Sequence, residues 1–395
     1  MKLAKRVVEM AESATLAVSA KAARMKAEGL DVISFGAGEP DFDTPAHIRQ
    51  AAIDALNSGK TKYPNPASGL IPVKKAICDR LEKDHGLRYA PEQVIVTSGG
   101  KDAVYMAIHA LIEPGDEVVI PAPYWVSYPE MVQLAGGTCV HIHGPEEQDY
   151  KLSPKLLESA LTAKTRMVIL NSPSNPSGVT YHPDEIRALA GVLQAKDLCV
   201  VSDEIYDRLL YGGQKSLSYA ALSDKAYSQT LTVNSASKTY AMTGWRLGYA
   251  AGPVNLIKSM AKLQSQSTSG AATFGQIAYA AALSGSDEVF EAMRIEFERR
   301  GKYMWDRLTK LPGVRCPRPT GAFYCFPNVS GTFAPMGLKG SMEFASRLLT
   351  ECNVAVVPGL AFGMDAHVRL SFATSMEQIT KGLDRIESWL RGAAR

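Results

Sequence analysis

The sequence has no uninterrupted apolar run long enough to span a membrane, and it has no run of basic residues. Its formal net charge is +3 over 395 residues, which gives no indication of nucleic acid or an anionic membrane as a partner. The six cysteines are far apart, and no C-x-x-C spacing points to a zinc or iron–sulfur site, so no metal is expected. Scattered single cysteines are typical of a reducing compartment. Because the charged start of the chain also lacks the apolar core of a secretory signal, a cytoplasmic protein is expected.

The length of 395 residues exceeds what one ordinary hydrophobic core organises, so two domains are predicted. We expect residues 46–290 to form a large domain, because short apolar runs alternate there with helical stretches. The pattern changes near residue 290, and residues 291–395 are expected to form a smaller α+β domain. Residues 1–45 begin as an amphipathic helix and cannot bury a core alone. They are expected to form an N-terminal arm and part of the small domain.

Six short segments in the middle of the chain are predicted to be strands and their exit loops. They are QVIVTSGG (93–100), DEVVIPAPYW (116–125), TRMVILNSPSNPSG (165–178), LCVVSDEIY (198–206), LTVNSASK (231–238) and RLGYAAGP (246–253). Most of these runs are continuously apolar rather than alternating, which is typical of strands buried on both faces. Together with the intervening helices they predict the α/β class, with a mostly parallel sheet covered by helices on both sides.

Polar or aromatic side chains follow the predicted strands rather than lie within them. Five strand ends carry such residues: Lys101, Trp125, Asn175, Asp203 with Tyr206, and Lys238. In an open α/β sheet, ligands bind outside the carboxyl ends of the strands. Any one of these residues could be only a turn residue, but five strand ends together predict one ligand-binding crevice.

The stretch SASKTYAMTGWRLGY, residues 235–249, leaves three interpretations open. Lys238 and Arg246 could lie in a surface loop and a strand without any chemistry. The segment from Ser235 to Lys238 also fits S-x-x-K, the serine-nucleophile pattern of β-lactamases and penicillin-binding proteins. In the third interpretation Lys238 is a reactive amine that forms a Schiff base with a cofactor carbonyl, while the serines and Arg246 hold an anionic group of that cofactor.

Motifs along essentially the whole chain resemble those of the class I aspartate aminotransferase family of fold-type I pyridoxal-phosphate enzymes, in the bacterial branch that has a lysine after paired glycines. In order, the motifs are SATLAV, GEPDFDTP, SGGK, PYWVSYPEM, NSPSNPSG, SDEIY, SASKTYAMTGWRLGY and VRLSFATS. The resemblance implies a seven-stranded large-domain sheet, pyridoxal 5′-phosphate as cofactor and a homodimer. It also implies a ping-pong aminotransferase that moves the amino group between aspartate or glutamate and a 2-oxo acid. The hydrolase interpretation is disfavoured, because neither S-D-N nor K-T-G follows.

The resemblance also implies roles for cofactor-binding residues. Lys238 matches the lysine that binds the cofactor aldehyde, and Asp203 matches the partner of the pyridine nitrogen, although Asp203 could also be a helix N-cap. Tyr206 and Asn175 match donors to the phenolic oxygen, and Trp125 matches the residue that stacks on the ring. The candidates for the phosphate are Gly99, Gly100, Lys101, Ser235, Ser237, Arg246 and, from the neighbouring subunit, Tyr63.

Residues for the substrate follow from the same resemblance. Arg369 matches the arginine that pairs with the α-carboxylate, and the backbone of Gly38 is expected to bind the same group. Lys101 is expected to meet the distal carboxylate. Ser13 and Thr15, with the hydroxyl-rich segment SQSTSG (265–270), are expected to form the matching polar wall of the pocket, and Trp125 and Asn175 are also expected to contact the substrate. The PNPASGLIP segment, within residues 64–72, is longer than the usual pattern by one residue, which makes the substrate range there an open question.

Three other functions are weighed against this one. An aromatic-amino-acid or prephenate aminotransferase, or a β-eliminating lyase, would use the same scaffold, and half-reactions with a panel of amino acids separate them. A transcriptional regulator that uses the fold as a ligand sensor would carry a DNA-binding domain first. The family pattern begins almost at residue 1 and no basic patch is present, so the enzymes are favoured.

Overall fold

The computed structural model describes residues 1–10 and 14–393 of the chain. Within this part, the helices numbered in chain order are α1 (Lys5–Val8), α2 (Ala14–Ala27), α3 (Ala46–Asn57), α4 (Ile71–His85), α5 (Gly100–Leu111), α6 (Ser127–Leu134), α7 (Pro154–Ala160), α8 (Pro183–Leu193), α9 (Asp224–Gln229), α10 (Ala236–Thr239), α11 (Val254–Gln266), α12 (Thr273–Ser284), α13 (Glu288–Leu308), α14 (Phe333–Met336), α15 (Ser341–Cys352) and α16 (Met376–Ala393). The strands are β1 (Ile33–Ser34), β2 (Val94–Thr97), β3 (Glu117–Ala122), β4 (Thr138–His143), β5 (Thr165–Asn171), β6 (Cys199–Asp203), β7 (Thr230–Ser235), β8 (Gly248–Ala251), β9 (Tyr324–Cys325), β10 (Val354–Ala355), β11 (Val357–Pro358) and β12 (Val368–Ser371).

A seven-stranded sheet in the order β2-β8-β7-β6-β5-β3-β4 forms the centre of the molecule. The pairs among β3 to β7 are parallel, and β8 runs antiparallel to both of its neighbours. The predicted mostly parallel α/β sheet is therefore confirmed. Because only β8 is reversed, the other six strands end at one edge, and the segments that follow them meet there.

Helices cover both faces of this sheet, as the continuously apolar strands predict. Along β3, Val118 and Ile120 join the core that also contains Val104 of α5, whereas Val119 joins a separate core with Leu189 of α8. Successive side chains of a strand point to opposite faces, so one apolar run supplies two cores. This packing fixes the positions of the strand ends that carry the polar residues.

The first residues of the chain contact its last third. Strand β1 pairs in parallel with β10, and the segment after β1 donates and accepts backbone hydrogen bonds at Phe35 with Ala355 and Ser371. Strands β11, β12 and β9 form a separate antiparallel sheet. The expected contact of the first 45 residues with the C-terminal part agrees with this pairing, while the domain boundaries themselves stay a prediction. The single helix expected at the start differs from the structure, which has α1 and α2 there.

Among the described residues, no helix is both long enough and apolar enough to cross a membrane.

Candidate active site

A cleft of about 670 Å³ lies at the edge of the large sheet where its parallel strands end. The structure brings most of the predicted site residues together on its walls. They are Thr15, Gly38, Gly100, Lys101, Trp125, Asn175, Asp203, Tyr206, Ser237, Lys238, Arg246 and Arg369. Residues from all five strand ends are among them, so the prediction of one crevice is confirmed by the geometry.

Three of the predicted residues that the structure describes, and the segment 265–270, do not line this cleft. Gly99 and Ser235 lie just behind its wall, where Gly99 precedes α5 and Ser235 caps α10. The side chain of Tyr63 is 85% exposed and is not among the residues that line the cleft of its own chain. Ser13 lies outside the described residues.

Lys238 enters the cleft because β7 ends directly before the short helix α10. The Ser235 hydroxyl caps that helix by accepting a hydrogen bond of 3.1 Å from the backbone N–H of Ser237. The Lys238 amine donates to the backbone carbonyl of Gly38. Burial, with Arg369 and Arg246 nearby, lowers the pKa of Lys238 to about 8, although Glu39 opposes the change. At pH 7 about a tenth of an amine with this pKa is neutral, far more than for an ordinary lysine, and the neutral amine is the form that attacks a carbonyl carbon.

Asp203, at the end of β6, is a buried carboxylate with a defined orientation. Its Oδ2 accepts a hydrogen bond of 2.5 Å from the Tyr128 hydroxyl, and its Oδ1 accepts from the backbone N–H of Ile205. Burial raises the pKa of Asp203 to about 6, against the effect of these hydrogen bonds. In the described part of the chain Asp203 forms no ion pair, so a protonated ring nitrogen in the cleft would be a suitable partner.

One corner of the cleft is built to hold an anion. The Arg246 guanidinium donates to the carbonyls of Thr243 and Ser98, at 2.9 and 3.3 Å, and so lies beside the start of α5. A Cβ on Gly99 would come within 2.7 Å of Arg246 Nη2, and the positive φ of +93° at this position also favours glycine. The free N–H groups of a helix N-terminus and a guanidinium both attract phosphate oxygens.

Arg369, on β12, is a fully buried arginine on the opposite side of the cleft. Its Nη1 donates to Asn175 Oδ1 at 2.9 Å, and its Nη2 donates to the carbonyl of Gly36 at 3.0 Å. Its Nε is buried without a hydrogen-bond partner. Over the described residues, no carboxylate lies within ion-pair distance of Arg369. A buried guanidinium with neutral partners and an unused donor has the charge and the free hydrogen-bond donor that a carboxylate ligand would need.

The remaining wall carries Lys101 and Trp125. The Lys101 ammonium lies 4.9 Å from the centroid of the Trp125 ring. Partial burial and the charge of Arg246 lower the pKa of Lys101. Thr15 of α2 also faces this space, and its hydroxyl is buried without a partner. These groups provide a second polar region, separate from Arg369, for the far end of a ligand.

Three residues of the site were not singled out from the sequence. Tyr128 orients Asp203, and Tyr324 shares a hydrogen bond of 2.9 Å between its hydroxyl and that of Tyr206. Glu39 accepts a hydrogen bond of 2.7 Å from the Thr243 hydroxyl and is the main charge that raises the pKa of Lys238. The spacing of Trp125 and Tyr128 could have indicated Tyr128 as a site residue, because residues three apart near the start of a helix lie on the same side. No local pattern marks Tyr324.

The fold and this cleft define an α/β protein with a ligand-sized cleft at the carboxyl ends of its parallel strands, into which a buried lysine amine projects. The chain belongs to the family described as aminotransferase class I and II, whose model matches residues 30–386. It is an aminotransferase.

Individual relatives span nearly the whole chain. An aspartate aminotransferase of Geobacillus stearothermophilus is 48% identical over 394 residues, covering 100% of both chains. A probable aspartate/prephenate aminotransferase of Rhizobium leguminosarum bv. phaseoli is 47% identical and covers 95% of each chain. The structure of aspartate aminotransferase from Thermus thermophilus with maleate superposes with a TM-score of 0.93, at 42% identity, over 98% of this chain and 99% of that one.

Proposed function

We propose that this protein is a pyridoxal 5′-phosphate-dependent aminotransferase that moves the amino group between aspartate or glutamate and a 2-oxo acid. The observation that carries the proposal is the buried guanidinium of Arg369, which has no carboxylate partner in the described residues and lines the same cleft as the Lys238 amine. A substrate with a carboxylate beside its amino group would satisfy both. The names of the Geobacillus and Thermus relatives agree with this substrate class.

The residues present fit the cofactor. The corner formed by Arg246, Gly99 and the start of α5 would hold its phosphate, with Ser235 and Ser237 close by. Trp125 lines the cleft where its ring would stack, and Lys238 would hold its aldehyde. Pyridoxal 5′-phosphate supplies an aldehyde that takes up the amino group and a ring that withdraws electrons from the substrate Cα.

The side chains of the chain itself then have separate tasks. The Asp203 carboxylate would hold a proton on the ring nitrogen of the cofactor, and Tyr128 keeps that carboxylate in place by its hydrogen bond. Tyr206 and Asn175 would donate to the phenolic oxygen. The Lys238 amine, when it is not bonded to the cofactor, would move a proton at the substrate Cα.

Arg369 binds and orients the α-carboxylate, with the Gly38 backbone beside it. Lys101, assisted by Thr15, binds the distal carboxylate of the substrate. Prephenate also carries two carboxylates, and relatives named aspartate/prephenate aminotransferase make its use the second candidate.

The scattered cysteines, which suit a reducing environment, support a cytoplasmic location as part of the proposal.

The test is a set of half-reactions. The protein loaded with pyridoxal 5′-phosphate is mixed with aspartate, glutamate, phenylalanine or alanine, and loss of the absorbance of the lysine-bound cofactor is followed. We expect fast loss with aspartate and glutamate and its return when 2-oxoglutarate is added. Recovery of this absorbance when prephenate is added in place of 2-oxoglutarate would show that the protein is also a prephenate aminotransferase. No change with any donor would refute the proposed function.

Replacing Lys101 by serine is expected to reduce kcat/KM for aspartate and glutamate by about tenfold or more, about 1.4 kcal/mol of transition-state stabilisation. The ammonium is a compact charge on the side of the cleft away from Arg369, so it meets only substrates with a second acid. Phenylalanine and alanine should change much less. Steady-state kinetics with each donor measures the difference.

Lys155→Ser is the matched control for this prediction, since Lys155 lies exposed on α7, outside the cleft. Occupancy of the cofactor must be measured in the Lys101 variant, because the backbone of this residue is part of the anion corner. An equal loss for acidic and neutral donors at full occupancy would show that Lys101 does not bind the side chain.

We also propose that the enzyme is a homodimer in which Tyr63 completes the partner's site, because this side chain is exposed and does not line the cleft of its own chain. Tyr63→Ala and Lys238→Ala chains should each be impaired alone. Mixing them should restore activity, since one site of the mixed dimer has both residues. Random exchange gives about half mixed dimers, so about a quarter of wild-type activity is expected.

As a control, each variant is taken alone through the same procedure as the mixture and should stay impaired. Analytical ultracentrifugation of differently labelled chains must show that the subunits exchange. Exchange without recovered activity would contradict the shared site.

A further inference from the structure

A cluster of buried charges lies directly behind the cleft, and nothing described above uses it. It consists of His85 at the end of α4 with Glu204 and Asp207, which follow β6. The His85 Nε2 and Asp207 Oδ2 atoms are 3.1 Å apart, and both side chains are only 5% exposed. Glu204 is 4% exposed, and its Oε1 accepts hydrogen bonds from the hydroxyls of Ser202 and Ser218.

The segment from Asp203 to Asp207 presents one pair of residues to the cleft and another to the cluster. Asp203 and Tyr206 line the cleft, whereas Glu204 and Asp207 are absent from its walls. The backbone N–H of Glu204 donates to the carbonyl of Val233, and that of Asp207 donates to the carbonyl of Glu204. The two faces therefore belong to one hydrogen-bonded turn, so a movement of Glu204 or Asp207 displaces Asp203 and Tyr206.

Two residues of the cluster also line a cavity together with residues of the segment that carries Lys238. This small cavity of about 20 Å³ is lined by His85 and Asp207 and also by Ser235 and Thr239. The cluster is thus in contact with the surroundings of two residues that the proposed mechanism uses, Asp203 and Lys238.

His85 is the cation available to the two carboxylates. The neighbouring arginines are engaged elsewhere: Arg80 with Asp84 and Asp287, and Arg208 with Asp287. Among the described residues, His85 is the basic side chain that forms an ion pair with Asp207, and none forms one with Glu204. Glu204 Oε2 and Asp207 Oδ1 are buried without partners. Two buried carboxylates without a cation are unstable, and one must take a proton or move.

We propose that His85 is a positioning residue for the transamination site, holding the turn from Asp203 to Asp207 through its ion pair with Asp207. The proposal rests on the proposed function, since it assigns His85 a role in presenting Asp203 and Tyr206 to the cofactor. His85 does not line the cleft and acts only through its contact with Asp207.

The charge of His85 is maintained by its surroundings. Burial alone would lower the pKa of His85, but the hydrogen bond with Asp207 and the charges of Glu204 and Asp84 outweigh burial and raise it to about 9. Because the raised pKa reflects stabilisation of the charged form, the ion pair is present at neutral pH and is lost as the pH rises through about 9. The titratable and charged groups that face His85 are Arg80 and Asp84 of α4, Glu204, Asp207 and Arg208 after β6, Tyr240 after α10, Tyr249 of β8 and Tyr279 of α12.

The test compares His85→Asn, Asp207→Asn and the double variant. Each single change breaks the ion pair that holds the turn, so the dissociation constant of pyridoxal 5′-phosphate should rise by about tenfold or more. The double variant removes both charges of the pair and should recover part of the affinity. Wild-type affinity should fall above about pH 9, and His85→Asn should lack that fall. Affinity is measured by titration of apoprotein, followed by absorbance.

His182→Asn is the matched control, because His182 is a surface histidine before α8 and its replacement should leave affinity unchanged. Urea unfolding of each apoprotein measures stability separately. If the folded single variants bind the cofactor like the wild type at every pH, and only stability differs, the positioning role is overturned. If His85→Asn does not fold, Asp207→Asn is judged by the same criterion. Wild-type protein that fails to bind the cofactor would instead contradict the proposed function.

Discussion

Replacing Lys238 by alanine is expected to abolish covalent attachment of pyridoxal 5′-phosphate and to lower kcat by about 10³-fold or more. The amine is expected both to hold the aldehyde and to move the proton at the substrate Cα, and proton transfer by a positioned group alone contributes about 10²–10⁴-fold. Reduction with borohydride followed by peptide mapping of the wild type should place the label on Lys238. A label on Lys101 or on any other lysine would falsify the assignment.

The pH dependence of attachment gives an independent check on Lys238. The neutral amine is the attacking form, and the pKa of Lys238 is lowered to about 8. The rate at which apoprotein takes up the aldehyde should therefore rise with pH and level off above about 8, instead of rising to the ordinary lysine pKa of about 10.4. Lys238→Arg, which keeps a positive charge but no nucleophilic amine, should take up the cofactor without forming the covalent bond.

Replacing Arg369 by methionine is expected to lower kcat/KM for every amino donor by about 10²-fold. A charge-assisted hydrogen bond contributes about 1.5–3 kcal/mol, and a guanidinium can make two such bonds to one carboxylate. Because every amino acid has an α-carboxylate, aspartate and phenylalanine should lose similar factors, in contrast to Lys101→Ser. Steady-state kinetics with a panel of donors measures this, and a loss confined to dicarboxylic donors would contradict the assignment.

The stability of the same variant distinguishes a ligand-binding arginine from a structural one. Arg369 is buried with only neutral partners in the described residues, so removing its charge relieves a desolvation cost that offsets the two lost hydrogen bonds, and the free energy of unfolding of the apoprotein should change little. Arg300 is the matched control, since it is also buried but forms ion pairs with Asp41 and Glu296, both at 2.8 Å. Arg300→Met leaves two carboxylates without their partner and should destabilise the apoprotein. Urea unfolding of both variants makes the comparison.

Much of the fold and most of the candidate site could be predicted from the sequence. Continuous apolar runs such as VVI in β3 indicate strands buried on both faces, because a strand with one solvated face would alternate. The residues after those runs were correctly placed in one crevice, since parallel strands end at the same edge. Boundaries were less exact: the strand expected to begin at Arg246 begins at Gly248, and Arg246 has a left-handed backbone with φ 55°.

Residue identity at Lys238, Asp203 and Arg369 was visible in local motifs, but their chemical states were decided by the tertiary structure. The motif HVRLS looks the same whether its arginine is solvated or buried, and only the packing of β12 against Asn175 and Gly36 removes water and leaves its Nε unpaired. The pKa values of Lys238 and Asp203 likewise depend on burial, which is set by chain segments far away in the sequence.

Contacts between distant residues were the part that no sequence pattern revealed. Tyr128 lies 75 residues before Asp203, and His85 lies 122 residues before Asp207, yet both pairs are in direct contact. Periodicity and turn residues report only the preferences of neighbouring positions along the chain. Which of the distant positions meet depends on strand order and on how helices pack over the sheet. The sequence by itself therefore determined the sheet and the position of Lys238 at the end of one of its strands. Tertiary packing alone determined which side chains orient the site residues and shift their pKa values.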